Sequence, residues 1–284
     1  MSFETLIYDL DDGIVTVTLN RPERLNAVNG TMIRELVESI DRFDADNEAR
    51  VMVVTGTGRA YCAGADLGAG GNAFNADAGY GGGQLSPDGG GLVTLRLYDC
   101  TKPVIAAING PAVGFGITMT LAMDIRIAAD DARMGFVFSR RGIVPEACSS
   151  WFLPRIVGIA QALAWAYSGK VFPATEALAK GLVSSLHPRA ELLPAAYAIA
   201  RELRDNTSSV SLALIRQMMW KMLGADHPME AHKLDSRGVF ATGKSADAKE
   251  GVSSFIEKRQ ATYPGRVPRD LPAFMPWWAP RKFE

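Results

Sequence analysis

Apolar and β-branched residues alternate through "GIVTVTLN" (13–20), and the run stops at Arg21-Pro22, which predicts a strand feeding a turn. The next stretch, "GTMIRELVESIDRFDAD" (30–46), sets Met32, Ile33, Leu36, Val37, Ile40 and Phe43 at helical spacing. "RVMVVTGTG" (50–58) reads as a short buried strand ended by glycines, and "KPVIAAING" (102–110) as another. A helix over 116–124 and a strand over 125–136 follow, so strands and helices alternate and an α/β fold class is expected. From about residue 158 the strands thin out, with helices expected over 211–223 and 245–260. The division expected is an α/β body over 1–205 and a helical C-terminal region over 206–284.

Residues 68–91 break the rhythm, because they carry 10 of the chain's 28 glycines. So little apolar surface does not offset the entropy of ordering the segment, and a flexible loop is expected there. Long loops of this kind often cover a site.

Composition narrows the function classes. The 284 residues are 48% hydrophobic, enough for a large core, and the formal net charge of −1 comes from interspersed acids and bases. Without a basic stripe, nucleic acid is not an expected partner. The opening "MSFETLIYDLDDG" is acidic, and no apolar run approaches the ~20 residues of a membrane span, so neither a targeting segment nor a membrane partner is expected. The C-terminal "RKFE" differs from a peroxisomal address. Cys62, Cys100 and Cys148 read as free thiols of a cytoplasmic protein.

Two motifs are decoys. "GVFATGKS" (238–245) matches a phosphate-loop pattern literally, but a polar, helix-like stretch precedes it where a buried strand is required. Its better reading is a turn with Ser245 as the cap of a following helix and Asp247 in the first turn. "GPAVGFG" lacks the third glycine of a dinucleotide loop. His187, His227 and His232 have no metal-ligand spacing, so no metal is expected. One acid is harder to place. Glu146 in "GIVPEACSSW" is a lone carboxylate among uncharged residues, behind a proline that fixes the backbone.

Four stretches, "NRPERLNAV" (20–28), "GRAYCAGADL" (58–67), "KPVIAAINGPAVGFGITMTLAMDIRIA" (102–128) and "MGFVFSRRGIVPEACSSWFLPRIVG" (134–158), resemble the crotonase superfamily of enoyl-CoA hydratases and isomerases. "LAKGLVSSLHP" (178–188) and "DAKEGVSSFIEKR" (247–259) are similar to it as well. The resemblance implies a spiral of ββα turns, an acyl-CoA substrate with no separate cofactor, and assembly as a homotrimer or dimer of trimers. It implies an oxyanion hole for a thioester enolate, with the N–H groups of Ala63 and Phe115 as donors. Many relatives have glycine at the position of Phe115, whose ring would narrow the acyl pocket. Along the CoA it places Arg24, Leu25 and Ala27, then Gly64, Ala65, Asp66 and Leu67. Tyr61, Gly114, Phe138 and Trp151 are assigned to the substrate pocket, and Phe255 and Lys258 to the nucleotide end, reached from a neighbouring subunit. The glycine-rich segment becomes a mobile flap over the acyl chain.

The chain departs from the hydratase pattern at both acids: Thr118 and Phe138 stand where family hydratases carry glutamates. The "PEACSS" context resembles instead the Δ3,Δ2-enoyl-CoA isomerase branch, in which one glutamate does the proton work. Glu146 is then the catalytic residue, Phe136, Phe138 and Trp151 form an apolar wall around it, and Thr118 carries no proton. A hydratase, another CoA-ester reaction, and a non-catalytic acyl-CoA-binding protein are the alternatives.

Overall fold

A computed structural model describes residues 3–74 and 86–283. The chain opens with a hairpin, β1 (Leu6–Asp11) and β2 (Ile14–Leu19), and helix α1 (Gly30–Ala45) follows. Strand β3 (Val51–Gly56), helix α2 (Gly89–Asp99), strands β4 (Val104–Ile108) and β5 (Ala112–Val113) and the short helix α3 (Phe115–Thr118) come next. Strands β6 (Ile125–Ala129) and β7 (Arg133–Gly135) precede α4 (Ser149–Val157), α5 (Ile159–Ser168), β8 (Val171–Pro173), α6 (Ala174–Ala179) and β9 (Ser185–His187). Four helices complete the fold: α7 (Arg189–Asn206), α8 (Ser209–Met222), α9 (Pro228–Thr242) and α10 (Ala246–Glu257).

Six strands form one sheet in the order β1-β2-β3-β4-β6-β9, parallel except for the opening hairpin. β3 and β4 are buried along their whole length, which explains their unbroken apolar sequences. Beyond each long strand the chain adds a short piece to a second layer. β5, β7 and β8 pair there, Cys62 bridges to Ala112, and Ala65 bridges to Val28. Each turn of the spiral thus supplies a long strand, a short one and usually a helix. α7 closes the large sheet, laying Leu192, Ala196 and Ala200 against it.

The expected strand 125–136 is two strands in different sheets. Asp130 and Asp131 make the turn between them, and β6 pairs with β4 whereas β7 pairs with β5. The glycine-rich segment is only partly a loop. Leu67–Asn72 forms a 3-10 turn, and Gly89, Gly90 and Gly91 start α2. The center of the expected flap, 75–85, lies outside the described residues. The phosphate-loop decoy is a helix junction, where Ser245 accepts the Ala248 N–H at 3.1 Å and Asp247 sits in the first turn of α10. Among the described residues no helix is long and apolar enough to cross a membrane.

Candidate active site

Asn26 organises the first wall of the site. Leu25 and Asn26 both have φ in the left-handed region, 52° and 55°, a strained pair that asparagine tolerates better than most residues. The buried Asn26 amide donates to the Thr57 and Ala60 carbonyls at 2.9 and 2.8 Å and accepts the Arg21 N–H at 2.9 Å. This turn aims the Leu25 carbonyl at the N–H of Ala63, 3.0 Å away. Ala63 is therefore corrected as an oxyanion donor, because its N–H is already used.

The open donor stands two residues further on. Val28 donates to the Gly64 carbonyl at 2.8 Å and accepts from Asp66 N–H at 2.9 Å, so the bridge brackets Ala65 and leaves its N–H without a partner among the described residues. Opposite runs β5 and the start of α3. Val113 donates to the Cys62 carbonyl at 3.0 Å, and beyond the parallel Cys62–Ala112 bridge the turn at Gly64 lies beside Val113 and Gly114. The approach is close. A Cβ on Gly64, whose φ is 97°, would lie 2.8 Å from the Val113 carbonyl, and one on Gly116 2.1 Å from that of Cys62. Phe115 is the first residue of α3, behind Gly114, so its N–H is one of the unpaired groups of a helix start.

Glu146 meets α3 one turn later. The Thr118 hydroxyl donates to Glu146 Oε1 at 2.5 Å, and the carbonyls of Gly114 and Phe115 lie 3.2 and 3.4 Å from the same hydroxyl. Thr118 is thus the direct hydrogen-bond partner of the acid. The other oxygen, Oε2, lies against Gly90 of α2. Burial raises the Glu146 carboxyl to about 7; the Thr118 hydrogen bond opposes that rise and the Asp88 charge adds to it. Cys62, next to this carboxylate, is fully buried and pushed up to about 12 by desolvation.

The Phe136 ring stacks with Trp165 and Phe172, at centroid distances of 5.9 and 6.3 Å. Trp151 packs edge-on against Tyr98 and Phe152, with the Arg155 guanidinium over its face. Phe138 is buried ahead of a 3-10 turn. Tyr61 is also corrected. It is fully buried in the core, its hydroxyl has no partner among the described residues, and it presents no accessible surface to a ligand.

Of the CoA contacts implied by resemblance, Arg24 is exposed, Leu25 half-buried and Ala27 buried beneath them. Leu67 is exposed. The Asp66 carboxylate is held by Arg21 at 2.8 Å, and that hydrogen bond keeps its pKa below the usual carboxylate range. Phe255 is 85% exposed, and Lys258, exposed as well, ends α10 in the left-handed conformation. The residues that sequence reasoning missed are Asn26, Ala65 as donor, Asp88 and Gly90. Only Asp88 had a local signal, an N-cap residue before a helix start.

Residues 9–266 match the family model described as enoyl-CoA hydratase/isomerase. Among similar proteins, the enoyl-CoA hydratase ACTT3 of Alternaria alternata is 40% identical over 89% of this chain and 83% of its own length. The 1,2-epoxyphenylacetyl-CoA isomerase of Escherichia coli K12 is 34% identical over 93% of this chain and 99% of its own. A solved enoyl-CoA hydratase from Mycobacterium tuberculosis H37Rv superposes with a TM-score of 0.82 at 30% identity, covering 92% of this chain and 99% of that one.

Proposed function

This chain belongs to the enoyl-CoA hydratase/isomerase family, and we propose that it shifts the double bond of a 3-enoyl-CoA to position 2 with Glu146 as its one acid–base residue. The observation that carries this reading is the state of Glu146: half-buried, held by a single hydroxyl among the described residues, and poised at about 7. By the family resemblance, Thr118 and Phe138, both buried, stand where hydratases carry their two acids.

The Glu146 carboxylate takes a proton from carbon 2, and the released electron pair moves onto the thioester oxygen as a dienolate. The N–H groups of Ala65 and Phe115 receive that charge; a single preset donor of this type is worth ~3–4 kcal/mol. The Glu146 acid then returns the proton to carbon 4, and the double bond closes between carbons 2 and 3. Thr118 suits both half-reactions. Its hydroxyl donates to the carboxylate, and when Glu146 is protonated it accepts instead and turns its own hydrogen to the Gly114 carbonyl. Because the free enzyme must hold Glu146 ionised, kcat/KM rises as pH increases through about 7.

Relatives named as hydratases make water addition the competing reading. Assays of the purified protein on 3-enoyl-CoA and 2-enoyl-CoA of several lengths decide between them: faster hydration of the 2-enoyl ester than isomerisation of the 3-enoyl ester overturns the proposal. Assembly into a trimer or dimer of trimers belongs to the same reading, supported by the exposure of Phe255 and Lys258, and light scattering at micromolar concentration tests it.

A further inference from the structure

Helix α2 opens with Gly89, Gly90 and Gly91, although glycine is among the weakest helix formers. A different neighbour crowds each position. A Cβ on Gly89 would stand 3.2 Å from Ile33 Cγ1, and one on Gly91 2.7 Å from Asp88 Oδ2. On Gly90 it would stand 1.8 Å from Glu146 Oε2, closer than any two unbonded atoms allow. Asp88 caps the same helix, with Oδ1 accepting the Gly91 N–H at 2.6 Å. A cap alone does not explain the second bond of that oxygen, from the Ala147 N–H at 3.1 Å. Ala147 and Cys148 follow Glu146 with φ of 57° and 53°, two successive non-glycine residues in the left-handed region. Backbone in that conformation persists only where its surroundings hold it.

We propose that Asp88 is the positioning residue for Glu146: one oxygen ties the strained turn behind the base to the start of α2, and Gly90 keeps the space its carboxylate occupies. The proposal rests on Glu146 being the acid–base residue. Its electrostatic consequence follows from what faces that carboxylate. Thr118 of α3 is neutral, and the thiols of Cys62 and Cys148, both pushed up by burial, are neutral near pH 7. The Asp88 carboxylate raises the Glu146 pKa, against the positive end of α2.

Three variants test this, assayed for kcat and KM on enoyl-CoA across pH and titrated by infrared difference spectroscopy of the Glu146 carboxyl. Asp88→Asn keeps an oxygen for both N–H groups and removes the charge. Its plateau kcat should stay within about threefold while the Glu146 titration moves to lower pH by about 0.5 unit, since Asp88 is exposed to solvent on one side. Asp88→Ala removes the tie, so plateau kcat should fall by roughly 10- to 100-fold with KM within about threefold. Gly90→Ala should lower kcat by at least about tenfold by displacing the carboxylate. Wild-type kcat in folded Asp88→Ala, or an Asp88→Asn titration superimposable on wild type, overturns the proposal. Should Glu146→Gln remain active, the assigned reaction falls, yet a shifted Glu146 titration in Asp88→Asn still supports the tie because it does not read activity.

Discussion

The two ends of α2 treat buried charge in opposite ways. At its C-terminal end the buried Arg216 of α8 donates to the Leu97 carbonyl at 2.8 Å, to the Cys100 carbonyl, and to Asp124 at 2.8 Å. Asp124 also accepts the Val104 N–H and the Trp220 ring N–H, each at 2.8 Å. Burial opposes the guanidinium charge, but Asp124 and neighbouring acids hold its pKa above the usual value. A cation at a helix C-terminus also suits the dipole. At the N-terminal end Glu146 has one hydroxyl, one nearby anion, and a raised pKa. A buried charge with its partners complete joins elements and stays inert. One left partly satisfied can exchange a proton near neutral pH.

The sharpest break in this comparison is Glu146→Gln, which keeps the shape and removes the base. Isomerisation should fall by about 10²–10⁴-fold, with acyl-CoA affinity nearly unchanged, as isothermal titration would show. Next is Arg216→Met at the inert end. It removes one of the three donors to Asp124 and the guanidinium bonds to the Leu97 and Cys100 carbonyls, leaving a buried carboxylate without its cation, so urea unfolding should show a loss of about 3–5 kcal/mol. The acid limb of the rate profile should not move in the folded protein, and a shift there would mean that the two ends are coupled.

A third test separates function from stability at Glu146 itself. The unfolded chain releases this proton near the ordinary glutamate value of 4.5, whereas the fold retains it to about 7. Stability is therefore present below pH 4.5 and lost as pH rises through 7. Glutamine does not ionise. Glu146→Gln should unfold at higher denaturant than wild type at pH 8, by up to ~3 kcal/mol, with the gain shrinking toward pH 5. The smallest expected effect is that of Thr118→Val. Without its hydroxyl the Glu146 pKa rises further, so the acid limb of kcat/KM should move to higher pH and activity at pH 6 should drop several-fold. An unchanged limb would mean that the Thr118 hydroxyl does not set the pKa of the acid.

Much of the architecture is local and was legible. The β2, β3 and β4 patterns, the apolar face of α1, and Ser245 at the head of α10 follow from spacing and capping within a few residues. The run 125–136 misled, because its apolar pattern continues while the chain turns from one sheet into the other. Gly89–Gly91 misled in another way: their composition reads as loop, and only contacts with Ile33 and Glu146 account for glycine in a helix.

The sequence alone determined that one carboxylate in "VPEACSS" is out of place and that two glycine-bounded turns offer backbone donors. Tertiary structure alone decided which donors are open and what surrounds the acid. Ala63 and Ala65 differ in nothing local. The Leu25 carbonyl reaches the first, and the Val28 bridge skips the second. Thr118, Asp88 and Gly90 meet Glu146 across 28, 58 and 56 residues of chain. Contacts over such separations are set by sheet register and helix packing, which no window of neighbouring residues encodes.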